Sequence, residues 1–333
     1  MLIKTNEDLN ALLRDCGNLD PRVGLAARDR FAMAVEQTLR QGVLVGDVVR
    51  LIYNQVSLGD DEYLEFTLDM LQPGEEDEYI AYTHPGTGKI PQRHIEADYV
   101  RIPYYLMANA NDWDLKFAKR GNGFQIGRIM EIYQAGYTKK TNDDGWQTMI
   151  AAAADRNILI YDGDAAAGQF TKRLVSLAKI AMRRNAGGNT ASIKRGELTD
   201  IFCSPEAEED VRAWGIDQID EVTRREIYLA NDGDGVLTRV YGVNLHTLDE
   251  FGEGQVYQDF YTSVLGAGLQ GSDLELAIGL DLKNKDAFYM PIKQEVTVFN
   301  DESKHREMKQ GIYGWFSCGF GCVDSRRVIA LSF

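Results

Sequence analysis

The sequence has 333 residues, with 36 Lys+Arg against 51 Asp+Glu, a net charge of −15 and a pI of about 4.8. At about 100–200 residues per domain this length means two domains, or one domain with a large insertion, and 44% hydrophobic with 10% aromatic residues excludes a disordered chain. The acid excess excludes a dedicated nucleic-acid binder, which is usually basic, and docking on an anionic membrane. Four scattered cysteines (Cys16, Cys203, Cys318, Cys322) are too few for a disulfide scaffold and predict reduced thiols in a cytoplasm. The first acids arrive before any apolar stretch, which is not the pattern of a signal peptide. The uncharged run 311–323 has 13 residues including four glycines, whereas a membrane span needs about 20 apolar ones. A soluble protein is expected.

The first predicted element is a helix. Asp20 suits the N-cap, Pro21 the first helical position, and Gly42 a left-handed C-cap. Between them Val23, Ala26, Ala27, Phe31, Ala34, Val35 and Leu39 recur at helical spacing. From 54 to 105 the period changes. Leu64, Phe66, Leu68 and Met70 alternate with polar residues, Pro73-Gly74 makes a turn, and strand-like runs at 79–82 and 95–102 follow. This predicts a long β-hairpin with an irregular tip. Residues 54–80 hold nine acids and no base, while the return side carries Lys89, Arg93 and Arg101. Such a run is either a solvated face or a contact for a basic partner surface.

Helices are predicted next: one through Phe124, Ile129, Ile132 and Tyr133 up to Gly136, and another capped by Asn142 and running to Ala154. A third over 168–185 places Phe170, Leu174, Leu177, Ala178 and Ala181 on one face. Its other face is basic. Lys172, Arg173, Lys179, Arg183, Arg184, Lys194 and Arg195 are seven bases without an intervening acid, which suits phosphate contact or pairing with acidic neighbours. After a Gly/Asn-rich linker (185–189), 198–203 reads as a buried strand. Ser204-Pro205-Glu206 starts a capped helix with Arg212 in its last turn and Gly215 at its end. Further strands are expected at 236–243, at 274–282 by alternation of Leu274, Leu276, Ile278, Leu280 and Leu282, then at 294–299, 315–323 and 328–331. Alternation in the 315–323 strand would place Cys318 and Cys322 on one face as small core residues.

Several short motifs fail on context. Gly266-Ala267-Gly268-Leu269-Gln270-Gly271 spells G-x-G-x-x-G, but a strand pattern follows it where a phosphate-binding helix should start. Pro85-Gly86-Thr87-Gly88-Lys89 lacks the Ser/Thr and the first glycine of a P-loop. The 314–319 run misses a nucleophile elbow by one residue. Asp232-Gly233-Asp234 has Val236 and Leu237 where a calcium loop needs a ligand and a glycine. His84, His94, His246 and His305 show no zinc spacing, and Cys318 and Cys322 lack a second pair. No catalytic constellation emerges, so the sequence is read as a non-enzyme without cofactor or metal.

The order of elements (N-terminal arm, long hairpin, helical segment, inserted α/β unit, returning strands) resembles that of the major capsid proteins of tailed bacteriophages, the Hong Kong 97-type α+β fold. The stretch 196–214, a strand running into a capped helix, is similar to the family's axial-domain strand and helix. Gly319-Phe320-Gly321 with Asp324-Ser325-Arg326-Arg327-Val328 resembles its closing strand and turn. The resemblance implies an N-terminal arm over 1–50, an extended loop over 51–105 that reaches over a neighbouring subunit, a peripheral domain with a long spine helix over 106–167 and 285–333, and an axial domain over 168–284. It implies a virion shell protein assembled in the host bacterial cytoplasm as hexamers and pentamers. The implied partners are a portal, a separate scaffolding protein and a decoration protein, with non-specific contact to packaged double-stranded DNA and no membrane. Expected intersubunit contacts pair Glu75, Glu76, Asp77 and Glu78 with Arg128, Lys139 or Lys140 of a neighbour, with Lys89 and Arg93 on the return arm. Lys89 is also the loop lysine that some relatives would use in an isopeptide crosslink. The alternatives are an encapsulin-type shell around a cargo enzyme and a two-domain α+β enzyme.

Overall fold

The computed structural model describes residues 11–12, 14–16, 18, 20–45, 49, 52–59, 62–67, 99–114, 116, 123–185, 196–214, 239–283 and 287–333. In chain order the elements are α1 (Pro21–Val45), β1 (Asn54–Ser57), β2 (Glu65–Thr67), β3 (Tyr99–Arg101), β4 (Tyr105–Asp114), α2 (Gly123–Asp155), β5 (Leu159–Tyr161), α3 (Lys172–Asn185), β6 (Asp200–Cys203) and α4 (Pro205–Ala213). There follow β7 (Arg239–Val240), β8 (Val243–Thr247), α5 (Val256–Asp259), β9 (Leu276–Leu280), β10 (Phe288–Asp301), β11 (Lys309–Cys318), β12 (Gly321–Cys322) and β13 (Val328–Ser332). The chain divides into two units: 1–64 with 101–145 and 289–321, and 65–100 with 146–288 and 322–333.

In the first unit the sheet order is β1-β10-β11-β4. β11 pairs antiparallel with both β10 and β4, and β1 runs parallel to β10. One face of this sheet carries helices. Phe31 of α1 meets Trp113 edge-on at 6.0 Å. Tyr133 and Tyr137 of α2 donate to the carbonyls of Asn109 (3.0 Å) and Gly314 (2.6 Å). Gly314 is required there, because a Cβ would stand 2.7 Å from both the Thr297 carbonyl and the Tyr133 hydroxyl.

The second unit holds a six-stranded sheet, β5-β13-β9-β6-β8-β7, with β13 parallel to β5, β6 parallel to β8 and the other pairs antiparallel. One face packs on α3 and α4, where Leu174, Ala178, Ala207 and Val211 meet Ile201, Ala277, Ile329 and Leu331. On the other, Trp146 lies 4.8 Å from Phe202, 5.7 Å from Phe251 and 6.1 Å from Tyr257. Successive strand residues point to opposite faces, so helices on both faces bury every position of β9 and β13. The alternation at 274–282 predicted one buried face. The structure also buries Ala277 and Gly279, while Leu274, ahead of β9, is exposed, and a Cβ on Gly279 would stand 2.8 Å from Leu198.

Other sequence expectations are corrected. Gly136 and Asn142 do not divide two helices: α2 runs unbroken for 33 residues, because the buried stripe Tyr133, Tyr137, Thr141 holds the backbone through both. Gly42 does not end α1, which continues to Val45. The 315–323 strand breaks after Cys318, so Cys318 lies on β11 and Cys322 on β12, and alternation along one strand does not relate them. Within 236–243, β7 and β8 are separate, joined by Tyr241 and Gly242 with φ of 51° and 77°. The caps stand as expected. Asp20 accepts from Arg22 N–H (3.0 Å) and Ser204 from Ala207 N–H (3.3 Å).

The resemblance motif at 324–328 proves to be a structural lock. Asp324 caps the short turn before β13 by accepting from Arg326 N–H (3.1 Å). Arg327, 3% exposed, donates to Asp281, 0% exposed, at 2.6 Å. The same carboxylate takes the Glu197 and Lys283 backbone N–H groups at 3.2 Å each. Removing one partner of a buried pair strands the other charge. Asp281→Ala is expected to lower unfolding free energy by about 3–5 kcal/mol in denaturant titration, while Lys283→Ala, at the surface, leaves the midpoint near its starting value. An unchanged midpoint for Asp281→Ala would contradict the lock.

Candidate interaction surfaces

Of the residues the sequence nominates, Glu75, Glu76, Asp77, Glu78, Lys89 and Arg93 lie outside the described residues, as do the Pro85–Lys89 and Asp232–Asp234 motifs. Arg128, Lys139 and Lys140 are exposed on α2. Helical spacing aligns Arg128 and Lys139 with Ile132, 59% exposed. Lys140 stands off that stripe and pairs with Asp144 at 2.7 Å, whose second oxygen accepts from Tyr105 at 2.7 Å. The stripe is thus a basic–apolar surface of Arg128, Ile132 and Lys139.

β2 and β3 form a two-stranded ribbon, consistent with the outgoing and returning arms of the expected hairpin. Just outside it, Tyr63 and Tyr104 lie 5.3 Å apart with Arg101 5.5 Å over Tyr63 and Lys293 4.4 Å over Tyr104. Lys293 also donates to the Tyr104 hydroxyl at 2.9 Å.

The basic face of α3 is largely engaged within its own unit. Arg173 bonds to Asp164 and lies 3.5 Å from Asp162. Lys179 donates to the Tyr241 carbonyl (2.6 Å), and Lys172 stands 5.1 Å over the Tyr241 ring. Arg183 and Arg184 are exposed in the last turn, where cations favour the helix dipole; Lys194 and Arg195 lie outside the described residues. Pairing with acidic neighbours accounts for Arg173.

The 266–271 glycine run is a surface loop, with φ of 67° at Gly266 and 60° at Gly271, and β9 rather than a helix follows it. His246 Nε2 lies 2.9 Å from Asp200 Oδ1, which also accepts from Asn244 at 3.0 Å, and the imidazole stacks on Phe202 at 4.6 Å. Burial would raise the Asp200 carboxyl, but hydrogen bonds from His246, Thr199 and Asn244 outweigh it and hold the group below its ordinary value. The pair anchors β6 to β8. Among the described residues no group of three or more His, Cys, Asp or Glu is placed to hold a metal ion, and no helix is long and apolar enough to cross a membrane.

The second face of the first unit's sheet was not singled out by sequence. There Tyr313 and Trp315 of β11 and Phe299 of β10 form an aromatic cluster, with ring centroids 4.9–5.8 Å apart. Register places Ala110 beside Tyr313 and Ala108 beside Trp315 on β4, with Leu106, 60% exposed, in the same row. The available signal was the run Ile312-Tyr313-Gly314-Trp315-Phe316, in which large rings occupy the positions between the buried ones.

All four cysteines are free. Burial raises the thiols of Cys16 to about 11 and Cys322 to about 12, and pushes Cys203 up further. Thiolate is the reactive form, so a chromogenic disulfide reagent at pH 7.5 is expected to label the native chain far more slowly than the denatured chain. A fast stoichiometric burst on native protein would refute this.

No family model and no curated protein matches the sequence. Solved structures do match. The capsid of Myoviridae phage XM1 is 12% identical with a TM-score of 0.51, over 82% of this chain and 86% of that one. A chain of Microbacterium phage Oxtober96 is 8% identical with a TM-score of 0.54, over 86% and 90%. The cyanophage Pam1 capsid is 12% identical with a TM-score of 0.53, over 85% and 88%. The chain has the α+β fold of phage capsid subunits, as the resemblance implied.

Proposed function

We propose that this protein is the major capsid protein of a tailed double-stranded DNA bacteriophage, a structural subunit that self-assembles into the icosahedral head. The observation that carries the reading is the fold match to phage capsids across more than four-fifths of the chain. The composition agrees with it. An acidic wall that repels DNA lets a genome slide in and out, whereas a tight binder would hold it.

In this reading 1–50 is the N-terminal arm, 51–105 the extended loop, 106–167 with 285–333 the peripheral domain and 168–284 the axial domain. The acidic run Glu75–Glu78 contacts Arg128, Lys139 or Lys140 of a neighbouring subunit, with Lys89 and Arg93 beside it. Exposed ion pairs contribute about 0–1 kcal/mol each. Weak contacts repeated around a shell suffice for closure and let misplaced subunits leave during assembly. Assembly takes place in the host cytoplasm with a separate scaffolding protein and a portal.

Purified protein in negative stain, alone or with its scaffolding protein, is expected to show closed icosahedral particles. A chain that stays monomeric at high concentration under both conditions sinks the proposal. Titration with short duplex DNA across a salt series is expected to give weak binding that fades steeply as salt rises. Charge reversal at Arg183 and Arg184 should flatten that slope; an unchanged slope places the DNA contact elsewhere.

A further inference from the structure

An antiparallel sheet with one solvated face normally carries polar residues there. The first unit's sheet departs from this along the middle of that face. Phe299 is 38% exposed, Leu106 60%, and Tyr313 and Trp315 are half-buried, with Ala108 and Ala110 exposed between them. The rings stand as a ridge on β10 and β11, and the two alanines on β4 leave a trough beside it. A contiguous apolar patch with a polar rim marks an interaction site, and aromatic anchors of this kind carry most of the energy in protein interfaces.

We infer that this face is covered by a second copy of the chain, a proposal that rests on the shell reading above. The rim charges select the occupant. Lys309 pairs with Asp112 at 3.2 Å, and Lys304 lies 3.9 Å from Glu307, so both signs border the patch. Two copies that each carry −15 repel over most of their surfaces. Here local cations offset local acids, and apolar contact can form without that repulsion. A polyanion or an anionic membrane would instead meet Asp112 and Asp114 at the end of β4. The trough suits a row of side chains from the neighbour, with Trp315 and Phe299 as its wall.

Trp315 reports on this directly. The other three tryptophans, Trp113, Trp146 and Trp214, are 5%, 1% and 7% exposed, so acrylamide quenching of the free subunit is expected to come mainly from Trp315 and to fall in Trp315→Phe. In particles assembled from this chain the Trp315 component is expected to be protected. The double variant Leu106→Glu/Phe299→Glu, at exposed positions, should raise the concentration needed for assembly by at least about tenfold with far-ultraviolet circular dichroism unchanged, whereas Phe299→Tyr, which keeps a ring there, should assemble at the parent concentration. Closed particles in which Trp315 remains as quenchable as in the subunit overturn the inference, leave the shell reading intact and assign the face to a different protein. Assembly of the double variant at the parent concentration overturns it as well. A chain that never assembles overturns both.

Discussion

A carboxylate with no exposed surface holds the second unit's sheet in register. Asp281 stands at the end of β9, takes the Arg327 guanidinium and the Glu197 and Lys283 amides, and gives its own N–H to the Arg327 carbonyl. Three stretches far apart in sequence (196–200, 280–283 and 324–328) are thereby fixed at one point. A buried ion pair adds little net stability over a hydrophobic substitute, but a broken one is costly. Burial on both faces leaves β9 and most of β13 apolar, and two polar contacts tie the strands at fixed points, Asp281 with Arg327 and Asp200 with His246.

The two sheets answer the same packing problem differently. The second unit packs helices on both faces of the centre of its sheet, where every residue of β9 and β13 is buried. The first unit covers one face only. Its helices, Phe31 on Trp113 and Tyr133 on Gly314, occupy one side and leave aromatic rings on the other. That open apolar face is the one proposed above to meet a neighbouring copy. The net charge supports the same division, since it opposes association everywhere except where acids are locally matched.

Much of this was legible in the sequence because local chemistry dictated it. The Ser204-Pro205 start of α4, the Asp20-Pro21 start of α1 and the strand after the glycine run follow from capping and period alone. What failed to be legible depended on tertiary context. Gly136 and Asn142 are weak helix residues that α2 carries because Tyr133, Tyr137 and Thr141 beside them are buried. The alternation around β9 hid a sheet buried on both faces, since Ala277 and Gly279 are small for packing rather than for solvent. The aromatic face escaped notice because a ring is buried as readily as it is exposed, and only the register with Ala108 and Ala110 shows on which side it stands. The local partners of the charged surface residues were not legible either: Lys140 lies 2.7 Å from Asp144, and Arg173 bonds to Asp164 near Asp162.

The strand order of the second sheet has a temporal meaning. β13 follows the other five strands in the chain, yet it lies between β5 and β9. Until the ribosome has released it, β5 has no partner and Asp281 has no guanidinium, so the nascent subunit holds a sheet with a gap in it.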